Sequence, residues 1–281
     1  MIRKNLIATF AALLLLPGLV RAQKQVPMLS PAESLKTIQL PPGYYLEPVV
    51  TEPAIKEPAV AVFDGNGVMY VAEMRTYMQD ADGSGKFNKV SRVSRHVDTD
   101  GDGRIDKTTV FIDNLLLPRI LLPLDDRLVV GETNTLDLYA YRDTDGDGVA
   151  DEKKLFYKGG RRGGNLEHQP SGLIWSLDNW LYTTYNRYRL RYTGDRVLKE
   201  PTAGNGGQWG LTQDVYGKPW YVNAGGERGP IGYQVPTVYG NLNARGQEIG
   251  NYKSVWPIDN IPDVQGGPRR IRDDNTLNHF T

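Results

Sequence analysis

The sequence of 281 residues contains no cysteine. Disulfide bonds are therefore excluded. A c-type haem attached within this chain is excluded as well, because the chain lacks the cysteines of the Cys-x-x-Cys-His motif that binds it. The chain also lacks net charge, since 33 Lys and Arg residues balance 33 Asp and Glu residues. That balance does not imply a polyelectrolyte partner, and we expect no binding to nucleic acid.

Long hydrophobic runs are absent after the N-terminus, so we expect the mature protein not to span a membrane. Residues 1–22 begin with Arg3 and Lys4, continue with a broken apolar run from Leu6 to Val20, and end at the small residue Ala22. This order predicts a cleavable signal peptide rather than a buried N-terminal helix. The mature protein is then expected in the periplasm or outside the cell.

Helical patterns are scarce as well. The single good candidate is a helix over 31–37 with Ser30 as its N-cap, and it lies in a stretch, 23–42, that we predict to be a linker and lead-in segment. By contrast, 31 Gly, 18 Pro and 16 Tyr residues suit many short strands joined by tight turns.

Four segments share one pattern, in which a short apolar strand runs into an Asp-centred turn and a second apolar or aromatic strand follows. They are 58–73, 118–132, 170–184 and 209–223, with Asp64, Asp125, Asp178 and Asp214 at the turns. An Asp side chain can bond its own backbone two residues on, which favours a hairpin turn. The hairpins begin about 60, 52 and 39 residues apart, and spacings of about 40–50 residues with four strands per unit are typical of propeller blades. We therefore predict an all-β chain with a β-propeller over 43–281; a β-sandwich or barrel is the alternative.

The C-terminal end of the sequence does not read as the end of a propeller. Residues 275–281 resemble the start of another strand, and propellers close on themselves to remove exposed edges. We expect the propeller to be truncated in this chain, as the N-terminal part of a longer protein. The alternative is that further, degenerate blades lie within 226–281.

Two acidic loops, 98–106 and 143–151, carry the most specific short motif. Both supply oxygen ligands at positions 1, 3 and 5, a Gly at position 6, a backbone carbonyl at position 7 and a carboxylate at position 9, as Ca²⁺ requires. The predicted ligands are Asp98, Asp100, Asp102, Arg104 and Asp106 in the first loop, and Asp143, Asp145, Asp147, Val149 and Asp151 in the second. Neither loop has the Glu at position 12 that an EF-hand uses, so the pattern is closer to the shorter loops of dockerin and thrombospondin-type repeats. We predict structural calcium in hairpin tips of the first two blades; a solvated acidic turn is the alternative.

His168 is the candidate catalytic residue. A Gly-rich stretch delivers Glu167, His168 and Gln169 immediately before the first strand of the third blade, a position that faces the central channel in a propeller. A carboxylate next to His can orient the imidazole for work as a general base. A polar loop that satisfies buried strand ends is the equally simple alternative.

The run Glu-His-Gln-x-Ser-Gly-Leu, followed by Asp-x-x-Leu-Tyr-Thr, is similar to the central segment of soluble quinoprotein glucose dehydrogenases and the wider glucose/sorbosone dehydrogenase family. That resemblance implies a six-bladed propeller that oxidises sugar hydroxyls with pyrroloquinoline quinone. It also implies that His168 is the general base that takes the hydroxyl proton and that Glu167 stands at the adjacent acidic position.

Over about residues 40 to 281 the chain resembles the large bacterial proteins called putative membrane-bound dehydrogenases, in which such a propeller precedes helical repeats and a c-type haem domain. The phrases at 128–139, 141–148 and 167–173 carry this resemblance. It implies a c-type cytochrome domain or protein as electron acceptor.

One departure from the quinoprotein pattern concerns the cofactor. Those enzymes continue with Gly-His-Arg-Asn-Pro-Gln-Gly-Leu, whose Arg and Asn grip the quinone, whereas residues 203–211 contain no Arg. Asn205 and Gln208 are the available substitutes, and Gln169 and Arg187 complete the predicted cofactor-binding set. Arg187, with the alternating residues Arg189 and Arg191, would form a basic row on one strand face; a solvated strand edge is the alternative.

The sequence thus predicts an exported, calcium-containing dehydrogenase that oxidises a sugar or related alcohol by hydride transfer to a quinone. A non-catalytic propeller that binds carbohydrate or protein is the alternative. Its binding face would be aromatic and would use Trp175, Trp180, Tyr182, Tyr185 and Tyr188. A propeller hydrolase such as a lactonase would require calcium at the channel floor rather than at hairpin tips.

Overall fold

The computed structural model describes residues 28–38, 40–80, 82–166, 168–202, 209–217, 219–222 and 234–236. Two compact units divide the chain after Pro48. In the first, helix α1 spans Pro31–Leu35, and Ser30 caps it through a capping box with Glu33. The Ser30 hydroxyl accepts the Glu33 N–H while the Glu33 carboxylate accepts the Ser30 N–H, which satisfies two N–H groups that a helix start leaves unpaired. The helix predicted here is confirmed.

The second unit is built from strands. They are β1 Pro58–Phe63, β2 Met69–Glu73, β3 Ser91–Val97, β4 Lys107–Leu115, β5 Ile120–Leu124, β6 Arg127–Gly131, β7 Leu138–Arg142, β8 Glu152–Tyr157, β9 Leu173–Trp175, β10 Leu181–Thr183, β11 Tyr188–Tyr192, β12 Val197–Pro201, β13 Gly210–Gln213, β14 Pro219–Val222 and β15 Gln234–Pro236. Each of the four predicted hairpins is present, as β1–β2, β5–β6, β9–β10 and β13–β14.

The strands form four antiparallel meanders in chain order. Three sheets have four strands each, β1–β4, β5–β8 and β9–β12, and the fourth has three described strands, β13–β15. The first strands of successive sheets contact one another, β1 with β5, β5 with β9 and β9 with β13. Four-stranded meanders whose first strands line a common interior are propeller blades. The predicted all-β propeller is confirmed, and we call β1, β5, β9 and β13 the inner strands.

The predicted Asp turns have the expected hydrogen bonds. Asp64 Oδ1 accepts the N–H of Asn66 at 2.8 Å, and the corresponding bonds at Asp178 and Asp214 measure 3.0 and 2.9 Å. Asp125 closes its shorter turn differently, with a left-handed φ of 54°. Asp tolerates that conformation better than most side chains, so the same residue type serves both kinds of turn.

A second repeated feature links the end of each second strand to the start of its blade. Glu73 and Glu132 follow or end β2 and β6, and their carboxylates accept the N–H groups of Lys56 and Leu116 at 3.0 and 2.6 Å. In the third blade the Thr184 hydroxyl accepts the Ser171 N–H at 2.9 Å. These bonds hold the chain as it enters each inner strand, so the residues just before those strands have fixed positions.

Two hydrophobic clusters lie between neighbouring blades, and a third, with Ile55, Met69 and Val71, belongs to the first blade and the chain before it. Of the first two, one joins residues of the first and second sheets, including Val93, Phe111 and Val130; the other joins the second and third sheets, including Ile120 and Leu181. Sheets that pack face to face in this way bury one face of each blade in the next, so truncating one of these side chains to Ala would cost about 2–5 kcal/mol. Among the described residues, no helix has both the length and the apolar character needed to cross a membrane.

Candidate functional site

His168 lies in the loop that leads into β9, as the sequence predicts. Its side chain is exposed, and its ring packs at 5.7 Å from the ring of Tyr185, which follows β10. The backbone is held on both sides, because the His168 N–H bonds to the Asn165 carbonyl at 3.2 Å and its carbonyl accepts from Arg162 at 3.1 Å. An imidazole that is both exposed and held by its backbone is accessible to a ligand from solution.

The neighbours of His168 differ in their surroundings. Gln169 is buried, and its amide makes a reciprocal pair with Asn134: its oxygen accepts the Asn134 N–H at 2.7 Å and its nitrogen donates to the Asn134 side chain at 2.8 Å. The predicted role of Gln169 in cofactor binding remains a prediction, and its amide visibly ties the third blade to the second. Glu167, Asn205 and Gln208 lie outside the described residues.

Two members of the predicted basic row, Arg189 and Arg191, share one face of β11, whereas Arg187 lies before that strand. Arg187 precedes β11 and is exposed, whereas Arg189 is 9 % exposed and bonds Glu200 at 3.1 Å and the Tyr182 hydroxyl at 3.2 Å. The guanidinium groups of Arg189 and Arg191 both stack on Trp180, at 4.1 and 4.2 Å from the ring centroid. Trp180 closes the β9–β10 turn, at the opposite end of the sheet from His168, so only Arg187 remains on the His168 side.

A pocket of about 320 Å³ opens where the inner strands begin. We call it the inner-strand pocket; its lining residues are Glu57, Pro58, Ala59, Met74, Tyr77, Leu117, Arg119, Thr133, Leu166 and Trp209. Leu166 stands two residues before His168 on the same loop. The loop that carries the candidate base therefore also forms part of the pocket wall.

Arg119 is the residue in this pocket that the sequence reasoning missed. Its side chain is 2 % exposed, one terminal nitrogen donates to the Leu166 carbonyl, and its guanidinium stacks 4.7 Å from the Trp209 ring centroid. Burial lowers the pKa of Arg119 to about 10, which leaves the group cationic at neutral pH. The sequence contains one sign of this site: Arg119 is a charged residue at the start of the otherwise apolar run 119–124. A charge buried beside an inner strand requires a specific partner.

The two acidic loops each gather three carboxylates. Ligand oxygens of Asp98, Asp100 and Asp106 lie within 4.8 Å of one another, and so do those of Asp143, Asp145 and Asp147. The position-6 glycines, Gly103 and Gly148, have left-handed φ values of 87° and 94°, as the turn requires. Both loops connect the third and fourth strands of their blades, which confirms the predicted placement at hairpin tips.

Hydrogen bonds inside each loop orient its first carboxylate. The Gly103 and Gly101 N–H groups lower the pKa of Asp98, and in the second loop the Gly148 and Gly146 N–H groups outweigh burial and lower the pKa of Asp143. Ionised carboxylates with fixed oxygens are a donor set that suits a hard cation such as Ca²⁺. Position-5 Asp102 and position-9 Asp151 stand outside the two groups of three.

The predicted aromatic binding face is largely used for packing. Trp180 and Tyr182 are buried, and Tyr188 packs against the core between the second and third blades. Trp175 is 41 % exposed but donates its ring N–H to Asn179 at 2.9 Å within the hairpin turn. The described aromatics therefore do not make one continuous exposed face.

Comparison with known proteins places residues 30–281 within the model of the family described as "Domain of unknown function (DUF7133)". No curated protein matches the sequence. Similar solved structures include a Xanthomonas campestris gluconolactonase, at 15% identity and a TM-score of 0.42 over 64% of this chain and 59% of that one. The pyranose dehydrogenase PQQ domain from Coprinopsis cinerea has 11% identity and a TM-score of 0.39, over 68% of this chain and 49% of that domain.

A third structure is the calcium structure of the Trichoderma reesei enzyme of carbohydrate-active family AA12, at 16% identity and a TM-score of 0.41, over 60% of this chain and 46% of that one. The alignments thus span about half of those proteins' own lengths. At these scores the likeness adds nothing to the fold assignment, which rests on the sheets themselves.

Proposed function

We propose that this chain, which belongs to the DUF7133 family, is the propeller domain of an exported oxidoreductase. The enzyme would oxidise a sugar or related alcohol by hydride transfer to a quinone-type cofactor. One observation carries the proposal: the exposed His168 occupies the loop before inner strand β9, and Leu166 of the same loop lines the inner-strand pocket. The sequence around His168 resembles the segment that holds the general base of quinoprotein sugar dehydrogenases.

The proposed role of His168 is to take a proton. As the hydroxyl group of the substrate loses its proton to the imidazole, the carbinol C–H bond releases a hydride and a carbonyl forms. When bound, the quinone supplies the two-electron acceptor for that hydride. The residue at the acidic position beside the base is Glu167, whose proposed role is to orient the imidazole.

The residues in the pocket suit a carboxylated quinone in one respect. Such a cofactor is anionic, and Arg119 contributes a buried cation to the pocket wall. Arg187 is exposed on the same side of the third blade as His168 and is the second candidate for a cofactor carboxylate. Electrons would leave to a c-type cytochrome domain or protein, since the chain contains no cysteine to attach a haem.

Calcium in the acidic loops has a structural role in this proposal. Both loops lie at tips of outer hairpins, between β3 and β4 and between β7 and β8, and none of their residues lines the inner-strand pocket. Extracellular calcium would fill sites with dissociation constants of about 10⁻⁴–10⁻³ M.

The test is reconstitution of the full chain with pyrroloquinoline quinone and calcium, with a dye as final acceptor and a panel of aldoses and polyols as substrates. We expect dye reduction with at least one substrate, and a fall in kcat of about 10²–10⁴-fold in both His168→Ala and His168→Gln, the usual contribution of a general base. Arg196→Gln, at the exposed β11–β12 turn of the same blade, is the control and should keep the rate. No dye reduction across the panel, or an unchanged rate in His168→Ala, would overturn the proposal.

A further inference from the structure

Tyr185, whose ring contacts the imidazole of His168, has an unusual backbone conformation. Its φ of 48° lies in the left-handed region, which residues with bulky side chains rarely adopt. Such a conformation persists only where the surrounding structure imposes it, and conformations of this kind cluster at functional sites. The strained backbone therefore marks Tyr185 as a residue with a defined role in the loop after β10.

Both chain neighbours of Tyr185 are anchored. On one side, the Thr184 hydroxyl accepts the Ser171 N–H at 2.9 Å and donates to the Ser171 carbonyl at 3.0 Å. On the other side, Asn186 is 9 % exposed, and its side-chain oxygen accepts the Tyr188 N–H at 3.2 Å. Because these bonds hold the residues before and after it, Tyr185 cannot relax its φ without disturbing one of them.

The first two blades show what the left-handed turn changes. In each of the first three blades, one residue directly follows the side chain that bonds the entry of that blade. These corresponding residues are Met74, Thr133 and Tyr185. Met74 and Thr133 line the inner-strand pocket, and neither has a left-handed φ. In the third blade the reversed φ turns the side chain in another direction, and the ring of Tyr185 lies against His168.

This contact acts on the part of His168 that would carry the chemistry. The hydrogen bonds with Asn165 and Arg162 hold the His168 backbone, whereas Tyr185 contacts the imidazole itself, with 5.7 Å between ring centroids and 32° between ring planes. Aromatic rings whose centroids lie about 4.5–7 Å apart attract one another. An aromatic partner on one side restricts the orientations that an exposed imidazole can sample, and a general base must be held within hydrogen-bond reach of the proton that it takes.

We propose that Tyr185 is a positioning residue for His168. Its strained backbone sets its ring against the imidazole, and the ring holds the imidazole in the orientation that proton transfer requires. The inference rests on the proposed function only for the proton transfer, since the positioning itself involves two side chains of this protein. In this role the Tyr185 hydroxyl is dispensable and the aromatic ring is not.

The position of the imidazole can be followed by NMR of the full chain with isotope-labelled histidine rings. The chain has three histidines, and His168→Gln identifies the signal of His168. Since a nearby aromatic ring shifts proton resonances, Tyr185→Asn should move that signal toward its position in the unfolded chain, and Tyr185→Phe should leave it in place. Asn tolerates the left-handed region, so this variant removes the ring without straining the backbone. Tyr185→Gly serves the same comparison if Tyr185→Asn does not fold. An unmoved signal in the ring-less variant would show that Tyr185 does not position His168.

Dye reduction gives the second readout. Tyr185→Asn should lower kcat by about 2–10-fold, the rate equivalent of a typical aromatic pair energy, and leave KM unchanged because the ring contacts the base rather than the substrate. Tyr185→Phe should recover most of that kcat. Tyr216→Asn removes an exposed ring from the β13–β14 turn and is the matched control, which should keep the rate. A raised KM with unchanged kcat would contradict the positioning role, and so would a loss of kcat that appears only with a large loss of stability.

The two measurements separate this inference from the proposed function. If the wild-type chain reduces no dye but the His168 signal depends on the Tyr185 ring, the oxidoreductase is wrong and the positioning stands. If the chain reduces dye and Tyr185→Asn changes neither the His168 signal nor kcat, the oxidoreductase stands and the positioning is wrong. A moved signal with unchanged kcat and KM would keep the ring contact and contradict its part in proton transfer.

Discussion

The two acidic loops have the same local structure in different surroundings. In each, the first Asp accepts N–H groups from positions 4 and 6, at 2.7 and 2.8 Å in both loops. In each, a Thr hydroxyl at position 2 donates to the Asp at position 9 at 2.7 Å. The backbone bond that closes each loop, from the position-9 N–H to the carbonyl before position 1, measures 2.9 Å in both.

Hydrogen bonds to a neighbouring blade hold the second loop. The Thr109 hydroxyl of β4 donates to the Gly148 carbonyl at 2.9 Å, and the Ala150 N–H donates to the Phe111 carbonyl at 2.9 Å. Gly148 is buried, whereas its counterpart Gly103 is exposed. The two loops with the same motif therefore have different contacts: Ile105 of the first packs against Met69 and Val71 of its own blade, and the second joins the first two blades.

Of the changes that test this comparison, removal of calcium should have the largest effect on the free energy of unfolding. If both loops bind calcium at about 100 times its dissociation constant, each site adds about 2.7 kcal/mol to the free energy of unfolding, and a chelator removes both contributions. Asp98→Asn and Asp143→Asn should each abolish one site. Calcium titration should count two ions in wild type and one in either variant.

Local order after chelation should separate the two loops. Hydrogen exchange of the backbone amides should rise more in 98–106 than in 143–151, because sheet one continues to hold the second loop through Thr109 and Phe111. An unfolding midpoint that does not respond to the chelator would contradict calcium binding, and equal exchange in both loops would contradict the docking argument.

Substitution of the position-6 glycines should give the next largest difference in the free energy of unfolding between the two loops. Both Gly103→Ala and Gly148→Ala force an L side chain into the left-handed region, at a cost of about 1–2 kcal/mol. An added Cβ meets nothing within 4 Å at Gly103, but at Gly148 it lies 3.0 Å from Thr109 Oγ1 and 3.4 Å from Arg95 Nη1. Crowding should add about 1–3 kcal/mol to the cost of Gly148→Ala alone, as measured by denaturant unfolding in the presence of a chelator. Equal costs would show that the second loop can move away from β4.

The docking hydrogen bond can be removed on its own. Thr109→Val keeps the shape of the side chain but leaves the Gly148 carbonyl without its donor, which should cost about 1–3 kcal/mol. Thr144→Val removes an exposed hydroxyl bond to Asp151 within the same loop and should cost less, about 0.5–1 kcal/mol. If the two variants unfold at the same denaturant concentration, the Thr109 bond does not join the blades.

The loops also show what the sequence could predict. The side-chain hydrogen bonds inside each loop join residues no more than seven positions apart, so the nine residues of the motif contain both partners of each bond. The docking of the second loop joins Gly148 to Thr109, 39 positions away on another blade. No local pattern shows that the second loop is docked, because docking depends on how two sheets pack.

The same limit applies to the candidate site. The hairpins and the position of His168 before β9 follow from turn chemistry and alternation, which are local. Arg119 was missed because its burial depends on Leu166 and Trp209, which come from the third and fourth blades. Likewise, alternation predicts that Arg189 and Arg191 share a face, but the partners of those side chains, Asp178, Trp180 and Glu200, come from the β9–β10 turn and from β12.

Acid titration should show the smallest difference between the two loops, because hydrogen bonds within each loop account for most of the lowering of the Asp98 and Asp143 pKa values. The pKa of Asp98 and that of Asp143 are both lowered in the folded chain, so their stabilising contribution is complete above the unfolded pKa of about 3.9 and is lost as the pH falls through the lower folded value. With a chelator present, Asp98→Asn and Asp143→Asn should each make the fall in stability between pH 5 and pH 3 less steep.

Arg95 contributes to this titration from a neighbouring blade, since its charge helps to lower the pKa of Asp143. Arg95→Gln should therefore move the acid response of the second loop and leave that of the first unchanged, as followed by the NMR chemical shifts of the two carboxyl groups. A shift at Asp98 of the same size would mean that sheet one acts on both loops equally, and the contrast between the two loops would then rest on Thr109 and Phe111 alone.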